Sequence, residues 1–219
     1  MIAYEPKIAI IIGTRAELIK TFPIMLELQK RGILYHFIHT GQHHLSDLCE
    51  KFSVKRPDVI LTKEPDKSSK FYSKVFKAIL WNLGLIFRIR KELKKLKNLK
   101  YTLYHGDTMT TATASISSSK FLNPFKKYKN VHLESGLRSE TIKEPFPEEI
   151  SRIIADYFSD ILFAVSKRAR RNLKGYKNKE IHLIGNTIID SAIKTSRLSL
   201  IKEITILEGN EFVLISIHR

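Results

Sequence analysis

Short apolar runs alternate with amphipathic segments along most of the chain. Ile8–Ile12 is a five-residue aliphatic run, long enough for a buried strand and too short to span a bilayer. Leu18, Ile19, Phe22, Met25, Leu26 and Leu28 then recur at helical spacing, predicting a helix over Ala16–Gln29. The same reading gives strands at Leu34–His39, Val59–Leu61, Tyr101–Tyr104, Val131–Leu133, Ile161–Val165 and Ile181–Ile184. Between them it places a long lysine-rich helix, a Thr/Ser/Ala-rich helix running to Phe121, and helices at Ile150–Phe158 and Lys167–Leu173. Short apolar strands alternating with helices predict an α/β fold: a Rossmann-like parallel sheet with helices on both faces.

In such sheets ligands bind beyond the carboxyl ends of the strands. Four predicted strand ends carry glycine beside polar residues: Gly13-Thr14-Arg15, Thr40-Gly41-Gln42-His43, His105-Gly106-Asp107-Thr108 and Glu134-Ser135-Gly136. After Ile184 the segment GNTIIDSAIKTSRLSL predicts a turn and a helix, and Phe212–Ile217 a further strand ending at His218-Arg219. The expected organisation is one Rossmann-like domain over 1–185, with 186–219 opening a second α/β unit. A lone strand can neither satisfy its backbone nor bury its apolar face. The pattern therefore reads as a fragment, or as a chain completed by another polypeptide.

Composition narrows the class. The chain has 219 residues, 43% of them hydrophobic and 27% charged, as in ordinary globular proteins. The single Cys49 excludes a disulfide framework, and with no signal-like N-terminus the expected location is the cytoplasm. The net charge is +16. Between Lys67 and Lys100 eleven Lys/Arg face only Glu92. That density suits nucleic acid or an anionic membrane, but no nucleic-acid motif accompanies it, so the run reads as a solvated helix face. Phe71, Val75, Ile79, Leu83, Phe87 and Ile89 predict that helix's core face. Neither nucleic-acid binding nor membrane insertion is expected.

The densest chemistry lies in HLESGLRSETIKEPFPEEISR, from His132 to Arg152. Glu134, Glu148 and Glu149 are interleaved there with Arg138 and Arg152, as a site moving protons beside an anion requires. Paired surface charges would read the same way. Gly13-Thr14-Arg15, with Lys20 behind it, suits an anion at a helix N-terminus or a plain glycine turn. It is neither a Walker loop nor a GxGxxG fingerprint. Asp107 is either a functional carboxylate or a helix cap. His43-His44 and His105 lack companions at ligand spacing, so no metal is expected. Cys49 has no base partner and reads as inert.

Together, GTRAELIK, TGQHH, YHGDTMTTATAS, HLESGLRS, PFPEEISR, IGNTIID and the closing HR resemble the non-hydrolysing UDP-N-acetylglucosamine 2-epimerases, in order and at compatible spacing. The family's GTRPE reads GTRAE here, leaving Arg15, Glu17 and Lys20 in place. The resemblance implies the N-terminal half of a glycosyltransferase-B-type two-domain fold. It implies reversible C2 epimerisation of UDP-N-acetylglucosamine to UDP-N-acetylmannosamine by anti elimination and re-addition of UDP, with no cofactor. By motif match, Asp107, Glu134, Glu148 and His218 are the catalytic residues. Arg15, Lys20, Asp107, Glu134, Arg138, Arg152 and His218 are the substrate-binding set. A homodimer is expected, and a second domain from elsewhere would complete the site. The alternatives are a non-catalytic nucleotide-sugar-binding fragment and a hydrolysing epimerase that releases UDP and N-acetylmannosamine.

Overall fold

The computed structural model describes residues 5–63, 71–139 and 147–197. Its elements are β1 (Ile8–Ile12), α1 (Arg15–Lys30), β2 (Tyr35–His39), α2 (Ser46–Lys51) and β3 (Val59–Ile60). They continue through α3 (Phe71–Lys95), β4 (Tyr101–His105), α4 (Met109–Ser118), β5 (Lys129–Ser135) and α5 (Glu148–Phe158). The last are β6 (Ile161–Ala164), α6 (Lys167–Asn172), β7 (Glu180–Leu183) and α7 (Thr187–Arg197). All the strands that the sequence predicts within the described residues are present, within a residue or two at most ends. The predicted strand Phe212–Ile217 lies outside the described residues.

Among the described residues the strands form one parallel sheet in the order β3-β2-β1-β4-β5-β6-β7. The order reverses between β1 and β4, the place where doubly wound sheets open a crevice for ligands. Alternation along β1 divides the core. Ile10 and Ile12 pack with Leu18, Phe22 and Met25 of α1. Ala9 and Ile11 pack with Leu85, Ile89 and Leu93 of α3. Both faces are thus covered, which is why β1 is aliphatic at every position.

The core face of α3 differs from the sequence expectation. Leu83 and Phe87 are 48% and 64% exposed, while Leu85, Ile89 and Leu93 are buried, with Trp81 partly so. Apolar residues surround this stretch of helix, so spacing alone does not select the face, and the buried track runs 81-85-89-93. Of the remaining predicted members Ile89 is buried as expected, and the side chains of Phe71, Val75 and Ile79 lie outside what is described. No helix among the described residues is long and apolar enough to cross a membrane.

Two details fix the helices around the crevice. The Ser/Thr-rich α4 is buried because its hydroxyls bond back to its own carbonyls: Ser117 Oγ to Thr113 O at 2.6 Å and Ser118 Oγ to Ala114 O at 2.7 Å. Pro23 inside α1 has no N–H to offer the carbonyl four residues earlier. That carbonyl, Ile19 O, instead accepts from Ser191 Oγ of α7 at 2.6 Å. A proline defect in α1 thereby becomes a docking point for α7.

Candidate active site

The carboxyl ends of β1, β4 and β5 build the site. Gly13 closes β1, and a Cβ there would stand 2.2 Å from Thr110 Oγ1 and 2.5 Å from Thr40 Oγ1. Only glycine lets three strand-end loops converge so closely. Thr14 then caps α1 in a capping box with Glu17, a signal legible in the sequence as Thr-x-x-Glu. Glu17 Oε2 accepts from the Gly13 and Thr14 amides at 2.7 and 2.8 Å. Its other oxygen accepts from Thr108 Oγ1 and, at 3.1 Å, from Thr111 Oγ1, both of the β4–α4 segment. Burial raises the Glu17 carboxyl above the usual carboxylate range, and these hydrogen bonds offset that only in part.

The two predicted cations of α1 separate. Lys20 reaches into the site, its Nζ 2.7 Å from Glu134 Oε2. Arg15 turns to α2, bonding both Asp47 oxygens at 3.0 and 2.8 Å and His44 O at 3.2 Å. That pairing holds Asp47 below the ordinary aspartate range.

The acids fall into two groups. Glu134, the penultimate residue of β5, has φ at +70°, a left-handed conformation that non-glycine residues seldom adopt. Its carboxylate lies over Gly106, where a Cβ would stand 3.3 Å from Oε2. His105 Nδ1 is also 3.3 Å from that oxygen, out of line for a hydrogen bond, while Nε2 meets Thr187 Oγ1 of α7 at 2.9 Å. Burial first, then the Lys20 and His132 charges, drive the His105 imidazole well below its usual range, so the ring is neutral. In the second group Asp107 pairs with Arg152, and Arg152 also holds Glu149 at 3.1 Å. Glu149 Oε2 accepts from the Ser139 amide at 3.2 Å. Glu148 lies beside it in the first turn of α5, with its Oε2 buried and unpartnered.

A buried network underlies both groups. His132 Nδ1 lies 2.7 Å from Asp156 Oδ1, and Nε2 lies 2.8 Å from Gly106 O. Asp156 Oδ2 takes Arg138 at 2.7 Å and the Gly136 amide at 3.3 Å. Burial pushes Asp156 upward, but the His132 and Arg138 contacts outweigh it and leave this carboxyl below its ordinary range. Arg138 is therefore a support beneath the strand ends.

Lys20 thus meets Glu134 and Arg152 meets Asp107 at the ends of neighbouring strands, while Arg15 stands apart from both pairs. His218 and the 140–146 part of the acid-rich segment lie outside the described residues. Glu17, His105, Glu149, His132 and Asp156 are further structural members of the site. Among the described residues no three His, Cys, Asp or Glu side chains group as metal ligands. Cys49 is buried with its thiol pushed up to about 11, consistent with the inert reading.

The order of the sheet and the polar crevice at its switch point define a Rossmann-like domain. The profile described as UDP-N-acetylglucosamine 2-epimerase matches residues 26–219, and the chain belongs to that family. The Methanococcus maripaludis UDP-N-acetylglucosamine 2-epimerase is 31% identical over 97% of this chain and 56% of its own. The Neisseria meningitidis enzyme, solved bound to UDP-GlcNAc, superposes with a TM-score of 0.72 at 29% identity. The match covers 89% of this chain and 51% of that one. Acinetobacter baumannii MurG, at 10% identity and a TM-score of 0.52, shares the fold alone. The fold is that of the N-terminal half of a glycosyltransferase-B-type protein, and the chain spans about half the length of the curated relatives it matches.

Proposed function

We propose that this chain carries the acid–base half of a UDP-N-acetylglucosamine 2-epimerase. The observation that carries the reading is the pair of carboxylates at adjacent strand ends, Asp107 on Arg152 and Glu134 on Lys20. Epimerisation at C2 needs a proton removed from one face and returned to the other, hence two proton-transfer groups. In the proposed reaction a carboxylate takes the C2 proton as the C1–O bond to UDP breaks, leaving a C1=C2 glycal. UDP then adds back to C1 while a proton is delivered to the opposite face of C2. Oxidation state does not change, so the chemistry calls for no redox cofactor. Asp107, Glu134 and Glu148 are the candidate acids. Lys20 and Arg152 are the cations on Glu134 and Asp107, Arg138 supports them from beneath through Asp156, Arg15 stands to one side on Asp47, and His218 joins from the second domain.

The test is incubation with UDP-N-acetylglucosamine in deuterium oxide, with the chain alone and with the second domain of a relative added. Deuterium at C2 together with the manno epimer supports the reading. Free N-acetylmannosamine and UDP would make it a hydrolysing enzyme. Ligand binding without exchange, even after complementation, would make it a non-catalytic binding module.

We further propose that the enzyme is a cytoplasmic homodimer. The outward stripe of α3, with Leu80 and Phe87 52% and 64% exposed around Leu83 and the open Gly84, supports a helix of a second copy packing there. Phe87→Glu is expected to halve the mass seen by sedimentation; an unchanged mass would remove this interface.

A further inference from the structure

We propose that Glu17 is a positioning residue for the reaction, tying the β1–α1 loop to the β4–α4 loop so that Lys20 and Asp107 hold a fixed spacing. This rests on the epimerase reading above. A capping box accounts for one carboxylate oxygen, which takes the Gly13 and Thr14 amides. The second oxygen of an ordinary capping glutamate faces water. Here it crosses the crevice to Thr108 and Thr111, more than ninety residues away, and the residue is only 2% exposed. Burying a carboxylate is costly unless its oxygens are fully bonded, and an exposed acid could cap α1 without that cost. The burial makes sense as a shared anchor. The carboxylate lies between the N-termini of α1 and α4, and both positive helix ends favour it.

The linkage continues to the chemistry on each side. Thr108 Oγ1 donates to Glu17 and accepts from the Thr111 amide as the α4 cap, and Thr108 immediately follows Asp107. Lys20 lies on the first turns of the helix that Glu17 caps, with its Nζ on Glu134. Glu17 meets no predicted substrate group directly. It acts by holding two loops in one register.

Two measurements test this. Glu17→Gln keeps the volume but loses the charge and one accepting oxygen. Its NH2 can meet the threonine oxygens only if the Thr108 hydroxyl turns its hydrogen elsewhere, so the tie is weakened. Turnover in the complemented enzyme is expected to fall about 100-fold, the cost of an ångström-scale misplacement, with KM changed less than about threefold. Independently, amide hydrogen exchange on the 219-residue chain needs no substrate. Thr108→Ala leaves the Glu17 bonds to Gly13 and Thr14 in place, yet it is expected to accelerate exchange of those two amides across the crevice. If the Gly13 and Thr14 amides keep full protection in Thr108→Ala, the loops are independent and the proposal fails. It fails equally if a folded Glu17→Gln keeps full turnover. An inactive wild-type enzyme would overturn the epimerase reading and the catalytic part of this proposal, while the exchange result would still decide whether the tie exists. Should Glu17→Gln not fold, Thr108→Ala supplies both readouts, with a loss of about tenfold expected.

Discussion

Asp107 and Glu134 are neighbouring strand-end acids in very different settings. The Asp107 side chain is 25% exposed and faces a guanidinium that it shares with Glu149. The Glu134 side chain is 8% exposed, sits on a left-handed backbone, and lies between one ammonium and a neutral imidazole. The first is an acid in an extended charge network; the second is an acid with a single cation in a dry corner. A reaction that takes a proton from one face of a carbon and returns it to the other has use for two such unequal groups.

The largest expected effect tests whether both are needed. Asp107→Asn and Glu134→Gln should each lower C2 deuterium exchange about 10³-fold in the complemented enzyme. If both variants kept full exchange the assignment would collapse, and if one did, the other alone would be the proton-transfer group. Next comes the support they share. Asp156→Asn leaves His132 and Arg138 facing an uncharged, buried partner and should cost about 3–5 kcal/mol in urea unfolding. A loss below about 1 kcal/mol would show that the network beneath the two acids bears little of their placement.

The unequal surroundings also predict unequal sensitivity to their cations. Lys20→Met removes the one ammonium on Glu134, and a charge-assisted bond of this kind is worth about 1.5–3 kcal/mol, or roughly 10- to 100-fold in turnover. Arg152→Met should cost less at Asp107 because that acid is better solvated, and part of its cost should appear as lost stability at the buried Glu149. Reversal of that order in steady-state kinetics would mean that Asp107 is the more dependent acid.

The sequence shows one level of this arrangement and conceals the next. The strands are legible because each is a short aliphatic run closed by glycine and polar residues. The placement of Asp107 and Glu134 follows, because adjacent strand ends in a parallel sheet share one edge. The pairing of cations was not legible. Arg15 and Lys20 lie five positions apart on one helix, which sets their side chains about 140° apart, so one turns to Asp47 and the other to Glu134. His132 meets Asp156 through the packing of α5 on β5, and no local pattern signals it. The buried face of α3 escaped because apolar residues nearly encircle that helix, so the sheet makes the choice.

The smallest effect concerns the neutral imidazole. His105 is uncharged in the fold because burial, Lys20 and His132 all oppose its protonation. In the unfolded chain it titrates near 6.5. Below that pH the unfolded state binds the extra proton and the folded state does not, so stability falls as pH drops through this window, by up to about 1.4 kcal/mol per pH unit for one proton. His39, also lowered chiefly by burial, adds a slope of the same sign. His105→Gln should therefore flatten the dependence between about pH 5 and 6.5 without abolishing it, as read from urea midpoints at each pH. If the slope is unchanged, the fold does not oppose protonation of the ring, which then gains its proton over the same pH range as in the unfolded chain. Glu134 would then face two cations where Asp107 has only a shared Arg152, and the ranking of the two acids by their pairing would reverse.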